Sequence, residues 1–393
     1  MSGVVLKNVT KRFATRSMGD VTAVSRLDLE IRNGECFSLL GPSGCGKTTT
    51  LRMIAGFEDL SEGEIWIGDR PVSVRDRNLY VQPEDRGLGM VFQAFAVWPH
   101  LNVFENVAFP LRVRKVPRAE MESRVGEALG HTGLSGLERS FPSSLSGGQL
   151  QRIALARAIV MKPDVLLLDE PLSNLDPKLR ETMRFEIKAL QRRLGFTIIY
   201  VTHDQAAMRF EIKALQRRLG FTIIYVTHDQ AEAMALSDRM LVMDMGVVQQ
   251  VDTPANMYKD PANKFVYGFL GLSNFIDVNI SGGKAYPVGT DGAPLPFPVP
   301  SDFGESAATV ASRPNEIELS AEGGYRVEVK SRIFLGDYTE YRVDAGDQEV
   351  RIQTAREHGF SVGDRVGLNF GKVRWYPRDD GASDAERERR KVI

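Results

Sequence analysis

Residues 36–50, CFSLLGPSGCGKTTT, decide the fold of this chain. The apolar run at residues 36–40 predicts a buried β-strand, and the pattern from residue 47 onward predicts a helix. The turn between them fits G-x-x-x-x-G-K-[ST], whose glycines let main-chain N–H groups approach a phosphate without obstruction by a Cβ atom. The stretch therefore predicts a phosphate-binding loop between a strand and a helix, in an α/β fold of the P-loop NTPase class.

The polar residues of this loop predict a site for ATP and Mg²⁺. Lys47 supplies a mobile cation for the phosphates, and Thr48 supplies a hydroxyl ligand for Mg²⁺. The start of the helix adds the positive end of its dipole, which attracts anions. The residues of this stretch expected to bind the nucleotide are Ser43, Gly44, Cys45, Gly46, Lys47, Thr48 and Thr49.

A second apolar run, VLLLDE at residues 165–170, ends in two carboxylates. This ending suits a metal-binding carboxylate followed by one that activates water. We expect Asp169 to hold Mg²⁺ and Glu170 to act as the general base. Taken alone, two acids at a strand end are common on solvated surfaces, so this assignment depends on the phosphate loop.

One segment of the chain is duplicated. Residues 183–206, MRFEIKALQRRLGFTIIYVTHDQA, recur unchanged as residues 208–231. A solenoid needs at least three units, so the pair indicates a single duplication rather than a repeat architecture. Each copy carries the pattern of a helix and a strand followed by a histidine.

Bulk composition restricts the class of protein. A chain of 393 residues exceeds what one hydrophobic core usually serves, so we expect two domains. The formal charge of −1 gives no long-range attraction to nucleic acid or anionic lipid, and no apolar run approaches the roughly 20 residues that span a bilayer. With no signal-peptide pattern and only two cysteines, the chain is expected to be cytoplasmic and to meet a membrane through a protein partner.

Changes in sequence texture predict the domain boundaries. Residues 1–245 are expected to form the nucleotide-binding domain, with a helical subdomain at about 95–161. Short alternating strands at residues 246–378 predict a second, all-β domain, and residues 379–393 form a highly charged tail. The aromatic residues of the β region are not interleaved with a basic cluster, so nucleic acid is not an expected partner.

The pentapeptide LSGGQ at residues 145–149 lies between the two elements described first, and here the chain resembles the ABC ATPase family, whose signature it is. Further family motifs follow the same order, with an aromatic residue at Phe13, Gln93 in VFQ, Asp176 in LSNLD and a histidine in VTHD. The resemblance covers residues 1 to about 375. It is closest to importer ATPases of the maltose, polyamine and ferric-ion type, because of PHLNVFENVAFPL, HDQAEAM and the C-terminal extension.

The resemblance implies a head-to-tail homodimer in which each ATP lies between the phosphate loop of one subunit and the signature of the other. Donors at the start of the signature helix suit this role, because a helix N-terminus attracts anions. The implied roles fall on Ser146, Gly147, Gly148 and Gln149 for the partner's ATP, on Phe13 for adenine stacking, on Gln93 for Mg²⁺ and the attacking water, and on Asp176 in the D-loop.

The resemblance also implies a cellular location and partner proteins. Such a subunit is peripheral to the cytoplasmic face of the inner (plasma) membrane, binds transmembrane permease subunits, and cooperates indirectly with an extracytoplasmic solute-binding protein. The C-terminal region resembles the family's barrel of OB-like fold, the TOBE domain, which serves dimer contact and regulation. The cargo stays open between ferric ion, polyamine, phosphonate and sugar.

Two other classes of function compete with an importer ATPase, namely a soluble ABC ATPase of repair or translation and an inactive relative. A repair ATPase of this family carries a long coiled-coil insertion between the phosphate loop and the signature, and a translation factor carries two nucleotide domains. The sequence has neither feature. An inactive relative disabled by the duplication remains an alternative, since its chemistry-bearing residues are intact and only their support is altered.

The duplication offers two candidates for the family's single switch histidine, His203 and His228. His203 lies 33 residues after Glu170, which matches the family's layout, and the first copy keeps Leu179 on the apolar stripe. The second copy keeps the apolar Met234 downstream, where the first copy has a charged residue. We favour His203, because that register leaves the run from the acidic pair through the strand uninterrupted, and we keep His228 as the alternative.

Overall fold

The computed structural model of this chain describes residues 3–15, 19–92, 96–169, 222–227, 230, 233–234, 237–290, 292–304, 306–355 and 359–378. The chain divides into two compact units, Met1–Asp260 and Pro261–Ile393. None of the helices among these residues is long and apolar enough to cross a membrane.

A six-stranded sheet forms the centre of the first unit. Its strand order is β11-β10-β3-β9-β8-β7, in which β11 is antiparallel to β10 and all other pairs are parallel. The apolar runs at residues 36–40 and 165–169 are strands of this sheet, because a parallel sheet is covered on both faces and needs nearly continuous apolar strands. The strands are β3 Cys36–Leu40, β7 Leu88–Val91, β8 Val165–Asp169, β9 Thr222–Val226, β10 Arg239–Asp244 and β11 Val247–Asp252.

One face of the central sheet packs against an antiparallel sheet and the helix α1, Lys47–Ala55. Residues that alternate along the strands, such as Phe37 and Leu39, point into this core. The second sheet has the order β2-β1-β4-β5-β6. Its strands are β1 Val4–Thr15, β2 Gly19–Ile31, β4 Glu62–Ile67, β5 Arg70–Val74 and β6 Leu79–Tyr80.

Three helices cover the opposite face of the central sheet, within the span expected to be helical. They are α2 Val103–Val113, α3 Arg118–His131 and α4 Gly147–Ile159. Their apolar residues form a second core with Cys36, Ile223 and Tyr225 of the sheet. At the start of α2, the Asn102 side chain accepts from the Glu105 amide at 2.8 Å and the Glu105 carboxylate accepts from the Asn102 amide, which is a capping box.

Strand β9 comes from the second copy of the duplicated segment. It lies between β3 and β8, with Ile223 opposite Cys36 and Thr222 opposite Val165. The chain that follows β9 also contacts β3, since the Cys36 amide donates to the Asp238 carboxylate at 2.9 Å. The structure therefore corrects the expectation that the strand of the first copy, residues 197–201, takes this place. The first copy lies outside the described residues.

The boundary between the two compact units lies later in the sequence than the change in sequence pattern predicts. The expected boundary follows residue 245, whereas β11 pairs with β10 in antiparallel fashion and so belongs to the first sheet. The helix α5, Pro254–Lys259, also falls in the first unit, and Thr253 caps it by accepting from the Asn256 amide. The second unit then begins at Pro261 and opens with α6, Lys264–Phe269.

The second unit is rich in β-structure, with one large hydrophobic core and a smaller cluster of Tyr267, Ala311 and Tyr376. A four-stranded sheet has the order β13-β12-β14-β20 and a five-stranded sheet the order β15-β19-β16-β17-β18. Inward residues alternate with outward ones, as in Tyr325–Phe334, where every second residue is buried at the start of the strand. The strands are β12 Asn274–Ser281, β13 Lys284–Pro287, β14 Ala307–Ser312, β15 Ile317–Ser320, β16 Tyr325–Phe334, β17 Thr339–Ala345, β18 Gln348–Thr354, β19 Arg365–Phe370 and β20 Arg374–Pro377.

The core of the second unit contains a polar atom with no partner, which gives a prediction. Tyr341 is fully buried, and its hydroxyl has no hydrogen-bond partner in the part of the chain that the structure describes. An unpaired buried hydroxyl destabilises the fold, so Tyr341→Phe is expected to raise the free energy of unfolding by about 1 kcal/mol. Urea unfolding followed by circular dichroism measures this change. A loss of stability would show that the hydroxyl does find a partner.

Candidate functional site

The carboxyl ends of five parallel strands lie at one edge of the central sheet. In the register of the sheet, Leu39 of β3 lies opposite Val226 of β9, and Val226 lies opposite Asp169 of β8. Adjacent strands are about 4.8 Å apart, so Asp169 lies about 10 Å from Leu39 between Cα atoms. The loop that follows β3 and the carboxylate that ends β8 therefore belong to one site, at the sheet edge where α/β proteins bind ligands.

The phosphate loop holds a conformation that requires glycine. Gly41 has φ +156°, and a Cβ atom there would come within 2.3 Å of the Met243 carbonyl oxygen. Gly46 has φ +108°, and a Cβ atom there would come within 2.4 Å of the Ala23 carbonyl oxygen. The loop is thus wedged against the strands beside it, and its main chain forms the cradle that a phosphate group fits.

Lys47 lies at the start of α1 and is buried, with a relative exposure of 6%. Its ammonium group donates to the carbonyl oxygens of Gly41 and Pro42, each at 2.8 Å. The side chain thus bends back over the loop, where a bound phosphate would meet it. Beside it, burial raises the pKa of the Cys45 thiol, and the nearby charge of Lys47 opposes that rise. Cys45 is therefore a neutral packing residue of the loop at pH 7.

The residues expected to hold Mg²⁺ lie at the same edge. Thr48 is exposed in the first turn of α1, Thr49 beside it is half-buried, and Asp169 is the half-buried last residue of β8. Among the described residues, no three acidic, histidine or cysteine side chains cluster as a metal cage. One hydroxyl and one carboxylate fit Mg²⁺ shared with nucleotide phosphates, because this ion usually keeps few protein ligands.

Phe13 lies on a hairpin that contacts the phosphate loop. It pairs with Val21 across β1 and β2, and Ala23, two residues further along β2, packs against Gly46. The ring is half-buried, and the Lys11 ammonium lies 4.7 Å from its centroid. An aromatic ring in this place is available to an adenine base next to the loop.

The signature residues lie at the start of α4. Ser146 caps this helix by accepting from the Gln149 amide at 3.4 Å, and the Gln149 side chain accepts from the Ser146 amide at 2.9 Å. Gly147 is exposed and Gly148 is buried. Because α4 and α1 cover opposite faces of the central sheet, the structure does not group the signature with the phosphate loop of the same chain.

Five candidate residues lie outside the described part of the chain. Three of them lie one or two residues after described strand ends in the sequence, and their neighbours are informative. Thr227 precedes the second histidine, is buried, and donates from its amide to the Leu39 carbonyl at 3.3 Å. The undescribed candidates are Gln93, Glu170, Asp176, His203 and His228.

The sequence patterns miss one residue that the structure places at the far end of α1. Arg86 is 1% exposed, and its Nη1 donates to the carbonyl oxygens of Met53 at 2.7 Å and Ile54 at 2.9 Å. Burial lowers the pKa of Arg86 to about 10, so its guanidinium is still charged at pH 7. A lone arginine before a strand carries no signal in the sequence, because its partners are main-chain atoms, two of them more than thirty positions earlier.

Comparison with known families identifies both units. The ABC transporter family model matches residues 24–173, and the TOBE domain model matches residues 310–375. The chain is 45% identical over 354 residues to the trehalose/maltose import ATP-binding protein MalK of Thermococcus litoralis, covering 90% of this chain and 82% of that protein. It is 47% identical over 353 residues to the spermidine/putrescine import ATP-binding protein PotA of Rubrobacter xylanophilus, covering 88% and 84%.

Further similarities agree with these. The chain is 40% identical over 353 residues to the Fe(3+) ions import ATP-binding protein FbpC of Escherichia coli, covering 89% of this chain and 90% of that protein. Among solved structures, a dimeric bacterial ABC transporter cassette, MJ0796, matches with a TM-score of 0.50 and 29% identity over 64% of this chain and 98% of the cassette. The cassette cbiO1 of Clostridium perfringens matches with a TM-score of 0.52 and 26% identity over 66% and 91%.

Proposed function

Because this chain belongs to the ABC transporter family as the ATP-hydrolysing subunit of an importer, we propose that it hydrolyses MgATP at the carboxyl edge of its central sheet. The observation that carries this proposal is the sheet register, which brings the loop after β3 and the carboxylate at the end of β8 to one edge. The glycine cradle and the buried Lys47 supply the contacts that a triphosphate needs.

The residues of the edge divide the chemistry between them. Loop amides and Lys47 bind the phosphates, and they stabilise negative charge that develops during transfer. Mg²⁺, held by Thr48, Asp169 and Gln93, would neutralise phosphate oxygens when bound. Glu170, next after Asp169, accepts the proton of the attacking water, and Phe13 stacks on adenine.

The signature completes the site from a second copy of the chain. Ser146, Gly147, Gly148 and Gln149 begin α4 on the face of the sheet away from α1, so they act on the partner's ATP and not on their own. Asp176 is assigned to the D-loop. The dimeric cassette among the similar structures supports this arrangement. ATP between two such surfaces holds the dimer together, since a helix N-terminus favours anions.

The dimer energises solute uptake through transmembrane permease subunits at the cytoplasmic face of the membrane. Its relatives carry different cargoes in their names, namely trehalose/maltose, spermidine/putrescine and Fe(3+), although each is an ATP-binding import protein. We therefore assign the choice of cargo to the permease and an extracytoplasmic solute-binding protein. The TOBE unit serves dimer contact and regulation.

ATP turnover by the purified chain tests the proposed function. Phosphate release is expected with MgATP, to fall to background when EDTA removes the metal, and to rise when permease subunits are added in membranes. A chain that binds MgATP without turnover, alone and with permease, would instead be the inactive relative that the duplication could produce.

The copy of the duplication whose strand lies in the central sheet supports His228 as the histidine that contacts the γ-phosphate. Thr227 bonds to β3 two residues before Gly41, and His228 comes next in sequence. His228→Ala is therefore expected to lower kcat about 10²-fold, the effect of losing one donor to the transferring group, whereas His203→Ala stays within about twofold of the unchanged chain. Steady-state phosphate release measures both variants.

This pair of substitutions is needed because a deletion cannot separate the copies. Removing residues 183–207 or residues 207–231 leaves the same amino-acid sequence. Point changes mark each copy individually. If His203→Ala loses turnover and His228→Ala keeps it, the first copy supplies the working histidine and the assignment from β9 is wrong.

A further inference from the structure

Arg86 is a buried cation that pairs with no carboxylate in the part of the chain that the structure describes. Its Nε donates to the Val81 carbonyl at 2.8 Å, and its Nη1 donates to the carbonyls of Met53 and Ile54. The ion pairs found among the described residues do not include it, and Asp59, the acid whose charge it feels, pairs with Arg75. Buried arginines are usually paired with acids, so main-chain carbonyls take over this role here.

These carbonyls belong to the last turn of α1. The final carbonyls of a helix lack intrahelical donors and carry the negative end of the helix dipole, so a cation there is stabilising. Gly56 ends the helix in the left-handed region at φ +86°, and a Cβ atom on it would come within 2.5 Å of the Arg86 Nε. The hydroxyl of Tyr80 donates to the Gly56 carbonyl, and the guanidinium lies 5.2 Å from the Tyr80 ring centroid. Arg86 is thus fitted closely to the end of α1.

The two ends of α1 have different tasks. Lys47 and the loop amides at its start hold phosphates, and Arg86 fixes its other end, about 14 Å away for nine residues. Arg86 also stands two residues before β7, the strand that ends at Val91, shortly before Gln93. One side chain therefore ties the phosphate-binding helix to the strand that leads to the candidate Mg²⁺ and water sensor.

We propose that Arg86 is a positioning residue for ATP hydrolysis, which fixes α1 against β7 and so places the phosphate-binding groups relative to the strand that precedes Gln93 in the sequence. This inference rests on the proposed function and deepens it. A displacement of about 1 Å in such a group, caused far from the chemistry, can lower a rate about 10²-fold. The residue touches no substrate and acts through α1.

Two variants of Arg86 and one matched control test the proposal. Arg86→Lys keeps the charge and loses the fork of donors, and Arg86→Met removes both. Arg114 is the control, because it also donates to a carbonyl of the same loop, that of Glu84 at 3.0 Å, but from an exposed position. At a temperature where circular dichroism shows each variant folded, kcat/KM for MgATP is expected to fall about tenfold in Arg86→Lys and about 10²-fold in Arg86→Met. Arg114→Lys and Arg114→Met stay within about twofold.

The affinity for ADP, measured by equilibrium titration, separates this proposal from the proposed function. The affinity for ADP is expected to weaken about tenfold in Arg86→Lys, the same factor as for kcat/KM. This result is expected even if the unchanged chain proves unable to turn over ATP. If Arg86→Lys has a lower melting temperature but unchanged kcat/KM and ADP affinity, Arg86 only stabilises the fold and the proposal is overturned. If Arg86→Met does not fold, Arg86→Lys decides alone.

Discussion

Glu170→Gln is expected to keep ATP binding and to lower hydrolysis about 10³-fold. Glu170 follows Asp169, the last residue of β8, at the edge where the phosphate loop lies. Glutamine has the same shape and hydrogen-bonding reach as glutamate but cannot take a proton from water, and general-base catalysis is worth about 10²–10⁴-fold. Single-turnover phosphate release measures the loss of the chemical step.

A second measurement follows the bound state of this variant. With hydrolysis blocked, ATP stays between the two subunits, so size-exclusion chromatography with MgATP is expected to show a dimer. Glu122→Gln is the control, since Glu122 is exposed on α3 and forms an ion pair with the exposed Arg118. It is expected to behave as the unchanged chain does. Full turnover by Glu170→Gln would move the general base to another residue.

Lys47→Ala is expected to abolish measurable nucleotide binding and turnover. The ammonium group of Lys47 donates to the Gly41 and Pro42 carbonyls at 2.8 Å. It therefore lies next to the expected phosphate site and also orders the loop around that site. Its loss removes a charge-assisted contact and leaves buried carbonyls without their donor. Equilibrium titration with ATP is expected to show an affinity lower by at least about 10²-fold.

The control for Lys47 is a lysine outside the phosphate loop. Lys162 is exposed after α4 and pairs with Glu127 at 2.9 Å. Lys162→Ala is expected to leave ATP affinity and turnover unchanged, because an exposed ion pair contributes little. Normal ATP affinity in Lys47→Ala would place the nucleotide away from this loop.

The part of the site that the sequence predicts is the part whose signals are local. The run of residues 36–50 contains its own strand, turn and helix, and the structure has β3, the glycine cradle and α1 there. The α/β P-loop class, the β-rich second unit and the assignment to importer ATPases are confirmed. Alternation along the chain likewise identifies strands such as β16, because the period of two is written in adjacent residues.

Features that depend on distant partners do not follow from the sequence pattern. The two copies of the duplication have identical residues, so no local signal distinguishes them. In the structure the second copy makes the contacts, since Thr222, the first residue of β9, accepts from the amide of Gly34, and Asp238, which follows that copy, accepts from the amide of Cys36. Arg86 is a similar case, since its partners include main-chain atoms of the distant helix α1. Strand β11 is a different case, because its pairing with β10 is a local hairpin and it is β10 that pairs with the distant strand β3.

The position of β9 has a consequence for how this chain tolerates changes in length. Residues 170–221 separate β8 from β9, about twice as many as would remain without one copy of the repeat. The entropy of closing a chain segment depends on the logarithm of its length, so such a doubling disfavours the fold by only about 0.6 kcal/mol. Strand β9, with all five residues buried, contributes far more. Gain or loss of the repeat by recombination therefore meets almost no thermodynamic barrier in the sheet, and selection can act on its other effects.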